Sequence, residues 1–183
     1  MAVKRRADFA ENRLRILAAA EDVFVERGVG APLDAIAQRA GVGRATFFRH
    51  FSDRRALINE MLDMFLDKLE EASAGLAPTG QSIFAITRVM FDEMMHYAPI
   101  ADFLRAQGRE DPVLLAAIDR FQALLRPHVT RAVEAGTVRA DLRESDIVIF
   151  AVMLAAATTT PNIGPDGRRT AYDLMLRGLQ DAG

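Results

Sequence analysis

Residues 31–57, APLDAIAQRAGVGRATFFRHFSDRRAL, run from Ala31 to Leu57 and decide how the rest of the chain is read. They divide into two short helices around a glycine-bracketed turn, with a third helix beginning at their end. Pro32 suits a first helical position, where its missing N–H leaves no bond unmade. Asp34 places an anion in the positive first turn. Ile36, Ala37 and Ala40 recur at helical spacing and form the inner face of the first helix. Gly41 is placed to end that helix with a positive φ, Val42 is an apolar plug in the turn, and Gly43 lets the chain double back. The second helix is expected over Arg44 to Phe51. The outline is a helix-turn-helix.

At about 100° per residue, Phe47 and Phe51 share the inward side of the second helix. Opposite them lie Ala45, Thr46 and Arg49, with Phe48 and His50 on the shoulders and Arg44 in the first turn. No acidic residue occurs between Gly41 and Ser52. A small, hydroxylic, basic face suits the DNA major groove, which admits a helix and offers acceptors to guanidinium donors. Arg54 and Arg55 follow, placed to grip phosphates beside the groove.

The combination Phe24-x-x-Arg27-Gly28, Ile36-Ala37, Ala40-Gly41-Val42, Thr46-Phe47-Phe48-Arg49-His50-Phe51 and Arg54-x-x-Leu57 resembles the signature of the TetR family. The resemblance covers the N-terminal third. Beyond it the chain is similar only in helical character and length, apart from a softer match over RAVEAGTVRADL, Arg131 to Leu142. In that family this module binds double-stranded operator DNA as half of a dimer, usually to repress transcription. The resemblance implies base reading by Arg44, Ala45 and Arg49, and phosphate or backbone contacts from Thr46, His50 and Arg54. Phe48 would pack against sugar or a thymine methyl. It also implies a small-molecule effector of unknown identity, and a fourth helix whose shift changes the separation of the recognition helices. Phe48 stands where the family usually carries a phosphate-reaching Tyr, and Arg54 where it usually carries Lys. Gly43 and Pro32 replace residues that often carry hydroxyls. Affinity is therefore expected to lean on Arg44, Arg49 and Arg54.

Composition fits this reading. The chain has 183 residues, half of them hydrophobic, enough for one sizeable core or for a small domain beside a larger one. It has no cysteine, which excludes a disulfide framework and a thiolate zinc site. No membrane span is indicated. The opening MAVKRRADFAENR is basic without an apolar run behind it, so no secretory signal is expected and a cytoplasmic protein is the plain reading. The net charge of −2 conceals an asymmetry: residues 1–55 hold eleven Lys/Arg and seven Asp/Glu, the remainder twelve and eighteen. A basic head on an acidic body would orient the protein as it approaches DNA.

An all-α fold follows, with a three-helix DNA-binding module over residues 1–52 and a helical ligand-binding and dimerisation domain over 53–183. Lys4, Arg5 and Arg6 form a basic arm, either disordered or DNA-touching. The first helix, from about Ala7 to Arg27, is assigned the stripe Leu14, Leu17, Ala18, Val23, Phe24 and Val25, and ends at Gly28; Arg13 is either solvated or near phosphate. Ser52 or Asp53 caps a fourth helix to about Ser73, with the ladder Leu57, Met61, Phe65 and Leu69. A turn at 74–80 precedes a helix from Gln81 to Tyr97 with Phe84, Thr87, Phe91, Met94 and Met95 inward. Pro99 is expected to interrupt it, leaving a short segment to about Gln107. The helix from Val113 to Ala135 should kink or split at Pro127 and end at Gly136. Ser145 is the expected cap of a helix over Asp146 to Thr159, and a final helix follows the Pro161–Gly167 loop from Arg168 to Leu179. The last two helices carry surplus apolar surface, and Ala151, Ala155, Ala156 and Thr158 would allow another helix close approach. A homodimer through that two-helix face is expected, with half-sites about 34–36 Å apart or a multiple of that.

Eight methionines and eleven phenylalanines make an adaptable apolar interior. Phe65, Met90, Phe91, Met94, Phe103, Phe121, Leu124 and Met153 are candidate walls of an effector pocket, although plain core is the ordinary role of each. His96, His128, Arg88 and Arg105 are the polar groups near them. An enzyme is not expected. Glu93-x-x-His96 has di-iron spacing, but its partner copy is missing, because Leu125 stands three residues before His128. No phosphate loop, dinucleotide fingerprint or nucleophile elbow occurs, and no cofactor is implied. The alternative is a ligand-sensing or interaction protein without operator binding. The intact basic face speaks against it.

Overall fold

The computed structural model describes the backbone of residues 2–106, 108, 110–160 and 163–180. Within these it describes all side chains except those of 2–6, 95, 98, 99, 101, 102, 104 and 105. The side chains of the Lys4–Arg6 arm, Met95 and Arg105, and all of Gln107 and Pro161, therefore lie outside what is described. Every regular element among the described residues is a helix: α1 Ala2–Arg27, α2 Leu33–Arg39, α3 Arg44–His50, α4 Arg54–Ala74, α5 Ser82–Ala106, α6 Pro112–Glu134, α7 Glu144–Thr159 and α8 Pro165–Leu179. None of them is long and apolar enough to cross a membrane. Two compact units divide within α4, Met1–Leu62 and Asp63–Gly183.

In the N-terminal unit α1 packs against α2, and α2 against α3. Ile16, Leu17, Ala19, Ala20, Val23 and Phe24 of α1 are buried. Leu14, Ala18 and Val25, expected inside, are exposed half a turn away. Helix α1 carries two apolar stripes, and the one built on Ile16, Ala20 and Val23 alternates bulk with alanine and admits α2. Gly28 closes α1 at φ 77°, its N–H bonded to Phe24 O at 2.9 Å. Pro32 stands just outside α2 and accepts Ala35 N–H at 3.0 Å. Asp53 Oδ1 accepts the Ala56 N–H at 2.8 Å and so caps α4. Leu57, Ile58 and Met61 are fully buried. The head of α4 thus belongs to the N-terminal compact unit, which runs to Leu62.

In the C-terminal unit α7 packs on α5, α6 and α8, and α5 on α6. Leu69, Ile83, Ile86, Met90, Leu125, Ile147 and Leu154 are fully buried. Asp111 caps α6, accepting from Val113 N at 3.0 Å and Leu114 N at 3.1 Å. Arg120 on α6 binds three α4 carboxylates: Glu70 at 2.5 Å, Asp67, and Asp63 at 3.4 Å. Helix α5 continues through position 99, where a break was expected, because Tyr97 and Ile100 on either side are buried and packing outweighs the lost proline bond. Helix α6 likewise runs unbroken past Pro127. Helix α7 starts one residue before the expected cap Ser145. Arg143 is its cap residue, and its N–H is bonded to Asp146 Oδ2 at 3.0 Å. That bond, with the Arg139 guanidinium at 2.8 Å, holds the Asp146 carboxyl below the usual carboxylate range.

Buried His128 is held between two hydroxyls, Nδ1 2.7 Å from Ser82 Oγ and Nε2 2.8 Å from Ser73 Oγ. Ser82 also lies 2.8 Å from the Thr79 carbonyl, which can only accept, so the Ser82 hydrogen goes there. Nδ1 must then carry the ring proton, and Ser73 donates to Nε2. Burial pushes the His128 pKa below its ordinary 6.5, so the ring is neutral.

Candidate nucleic-acid interface

Helix α3 is only seven residues long, too short to persist alone. It is held from behind by Phe47, wholly buried, and by Phe51 just beyond its end, 2% exposed. The turn in front of it is fixed by Gly41. At φ 65° that residue lies in the left-handed region, and a Cβ there would come within 2.6 Å of Arg15 Nη2. Arg15 Nη2 in turn donates to Ala40 O at 2.6 Å, and Val42 N–H to Ala37 O at 3.0 Å. A charged fork on α1 therefore ties down the turn carbonyls. Sequence spacing alone did not reveal that role for Arg15.

Arg44, Ala45 and Arg49 are exposed, and Thr46 is half-buried beside them. Arg49 Nη2 donates to Thr46 Oγ1 at 3.0 Å, one turn back on the same face. Arg44 Nη1 lies 3.0 Å from Asp34 Oδ2 of α2, a solvent-exposed pair that carries little energy by itself. The Arg44 guanidinium also sits over the Phe48 ring, 5.5 Å from its centroid. Phe48 is 37% exposed and meets Phe47 edge-on at 5.4 Å. From spacing alone Asp34 has only a helix-start role, since its approach to Arg44 depends on how α2 and α3 cross.

Three expectations change. Arg54 does not face outward: its two terminal nitrogens donate to the carbonyls of Val29 and of Ala31, the latter at 2.7 Å. The guanidinium fork matches a pair of carbonyls in the α1–α2 loop, which makes it a clamp rather than a phosphate grip. Arg13 likewise pairs with Glu60 at 2.6 Å, over the Phe51 ring. His50 is half-buried under Phe9, ring centroids 4.0 Å apart, and its Nδ1 is buried without a hydrogen-bond partner. Burial, then the positive charges of Arg13 and Arg49, lower its pKa from 6.5. His50 is thus a neutral group at pH 7, able to donate one hydrogen bond but not to bring charge.

The candidate pocket residues divide. Phe65, Met90, Phe91, Met94 and Phe121 are buried in the C-terminal unit, and Phe103 and Leu124 are half-buried. Their ring contacts are those of packed core, with Phe65 5.4 Å from Tyr97 and Phe91 stacked on Tyr172 at 4.6 Å. Met153 does not join them. It is 56% exposed on α7, about a quarter turn from the centre of the buried Ile147, Phe150 and Leu154. Of the neighbouring polar groups, His96 and Arg88 are exposed, and Arg88 pairs with Asp92 at 3.1 Å. Among the described residues no cluster of three metal-ligating side chains occurs.

Comparison with known proteins agrees with this arrangement at both ends of the chain. Residues 16–61 match the family described as "Bacterial regulatory proteins, tetR family". Residues 78–181 match "Transcriptional regulator SbtR-like, C-terminal domain". The HTH-type transcriptional regulator SrpR of Pseudomonas putida is 30% identical over 152 residues, 78% of this chain and 70% of SrpR. The HTH-type transcriptional activator FasR of Mycolicibacterium smegmatis is 34% identical over 91 residues, 47% of this chain. The match spans only 42% of FasR. The crystal structure of a TetR transcription regulatory protein from Mycobacterium vanbaalenii superposes with a TM-score of 0.66 at 30% identity, covering 96% of this chain and 99% of that one. These relatives are regulators and not enzymes. On the two matched regions and the shared fold, the chain belongs to the TetR family of bacterial regulatory proteins.

Proposed function

We propose that the protein is a sequence-specific DNA-binding regulator of transcription, a homodimer that occupies a palindromic operator and represses until a small molecule releases it. The observation that carries the DNA-binding part is the outer face of α3. Arg44, Ala45 and Arg49 are exposed there, no carboxylate lies on the helix, and Phe47 and Phe51 fix it from behind. Arg44 and Arg49, with Ala45, read base edges. Thr46 holds a phosphate, neutral His50 donates a hydrogen bond to the backbone, and Phe48 meets sugar or a thymine methyl. Such a regulator works in the cytoplasm.

The dimer forms through α7 and α8. Ile149, Val152 and Met153 recur at i, i+3, i+4 on one face of α7, with Met153 and Ile149 more than half exposed. Leu174 on α8 is 61% exposed, flanked on its own face by Gly167, Ala171 and Gly178. Between the two helices runs a groove of about 430 Å³ lined by Ile149, Phe150, Met153, Leu174 and Met175. A ridge beside a groove is what a two-fold contact with a second copy needs. Ala155, expected at that contact, is buried within the chain. A small-molecule effector acting through the C-terminal unit, near Met90, Phe91, Met94 and Phe121, favours dimers with misplaced recognition helices.

The test is a titration of duplexes selected from random DNA at rising salt. A neutralised phosphate releases counterions, so operator affinity should fall steeply and linearly on logarithmic axes. Failure to select any sequence, or an affinity indifferent to salt, removes the proposal.

A further inference from the structure

We infer that Asp34 and Phe48 are positioning residues that hold the Arg44 guanidinium in one orientation for one base pair, and that Asp34 gives selectivity at the expense of raw affinity. The inference rests on the DNA-binding reading above and goes beyond it by placing part of the specificity outside the recognition helix.

An arginine whose side chain is 72% exposed ordinarily samples many rotamers, and ordering it on binding opposes affinity. Arg44 is held from two directions instead. Asp34, in the first turn of α2, takes Nη1 at 3.0 Å, and the Phe48 ring lies beneath the guanidinium carbon at 5.5 Å. Phe48 is steadied by its edge contact with Phe47, which is wholly buried. A line of support therefore runs from the core, through two rings, to the charged fork. The ring under the cation and the carboxylate beside it together limit the rotamers that the guanidinium adopts. With Nη1 engaged by Asp34, Nη2 keeps its donors for an incoming base acceptor. A phenylalanine at 37% exposure beside a polar face also gains a reason: it serves as a shelf for a cation and has no need of a hydroxyl.

Asp34 has a second effect of opposite sign. It is a carboxylate, its side chain 59% exposed, on the surface that meets a polyanion, and it partly neutralises a cation meant for that polyanion. Binding to DNA of any sequence is weakened by it. Removing the charge should therefore raise nonspecific affinity while loosening the reading at one position. A residue that only stabilised the fold would move neither in this way.

The experiment selects bound sequences from random duplex DNA with the unaltered protein. It then measures the matched duplex and its single-base variants against Arg44→Ala, Asp34→Asn, Phe48→Leu and Phe48→Tyr. Arg44→Ala should abolish discrimination at one base pair of each half-site. Asp34→Asn and Phe48→Leu should narrow discrimination at that same base pair by about two- to fivefold and leave the others alone. Phe48→Tyr, which keeps the ring, should retain it. Asp34→Asn should also bind unselected duplex more tightly than the unaltered protein. The inference is overturned if Asp34→Asn and Phe48→Leu leave that base pair fully discriminated, or if they weaken every position alike. It is overturned too if Arg44→Ala erases no preference of a selective protein, in which case the DNA-binding reading survives without it. A protein that selects no sequence at all sinks both.

Discussion

Replacing Arg54 separates a clamp from a phosphate grip. Its fork donates to the carbonyls of Val29 and Ala31 and ties the α1–α2 loop to the head of α4, all within the N-terminal unit. Hydrogen bonds from a charged donor contribute about 1.5–3 kcal/mol each. Arg54 is half-buried, so water replaces part of what is lost when it is removed. Taking the low end for two bonds, Arg54→Ala should cost about 2–3 kcal/mol, well above the ±0.5 kcal/mol or so of an ordinary surface change. Arg54→Lys is the sharper variant. It keeps the charge but offers one ammonium where two carbonyls need a fork, so it should be nearly as destabilising as alanine. The assay is urea unfolding with amide exchange across residues 28–31, paired with the salt slope of DNA binding. The clamp predicts a lower unfolding midpoint and faster loop exchange for both variants, with the salt slope unchanged. If instead both variants unfold like the parent, while alanine lowers the slope by about one and lysine restores it, Arg54 is a phosphate ligand and the clamp is wrong.

Two further predictions follow from the C-terminal unit. Met153→Asp with Leu174→Asp should give a monomer in sedimentation without lowering the monomer's helicity. Each side chain is more than half exposed, and each is worth about 1.5–3 kcal/mol when buried; a dimer that persists would remove α7 and α8 from the interface. His128 is kept neutral by burial, its pKa below 6.5, so the unfolded chain takes up the proton first as the solution is acidified. The stability it contributes is complete above 6.5 and is lost as pH falls from there through the folded value. Urea midpoints across the neutral to mildly acid range should therefore drop for the parent and drop less for His128→Gln; equal slopes would show that His128 does not carry the effect.

What was legible in the sequence was what short-range chemistry decides. Gly41 was placed at a positive φ and has it, and Gly28 ends α1 as expected. Phe47 and Phe51, four apart with Arg49 and His50 between them, share the inward side of α3. The ladder Leu57, Met61, Phe65 and Leu69 on α4 is buried for the same reason. Errors arose where two local answers were equally good and tertiary packing chose between them. Helix α1 offers two stripes around the shared Leu17, Val23 and Phe24, and the choice of Ile16, Ala19 and Ala20 over Leu14, Ala18 and Val25 depends on the partner helix. Pro99 reads as a breaker until buried Tyr97 and Ile100 hold the helix across it. Met153 shares the composition of a pocket but not its direction. Arg54 and Arg44 differ in a way no spacing reveals, because one fork meets loop carbonyls and the other meets Asp34.

The central claim is that the outer face of α3 reads DNA, and Arg49→Ala tests it most directly. Arg49 is exposed and touches Thr46 of its own helix, so its removal should leave folding untouched. Sequences selected from random DNA by the variant should lose preference at one base pair of each half-site, with affinity for the parent's operator down by about 1–3 kcal/mol. An operator affinity and a selected sequence identical to the parent's would contradict the account.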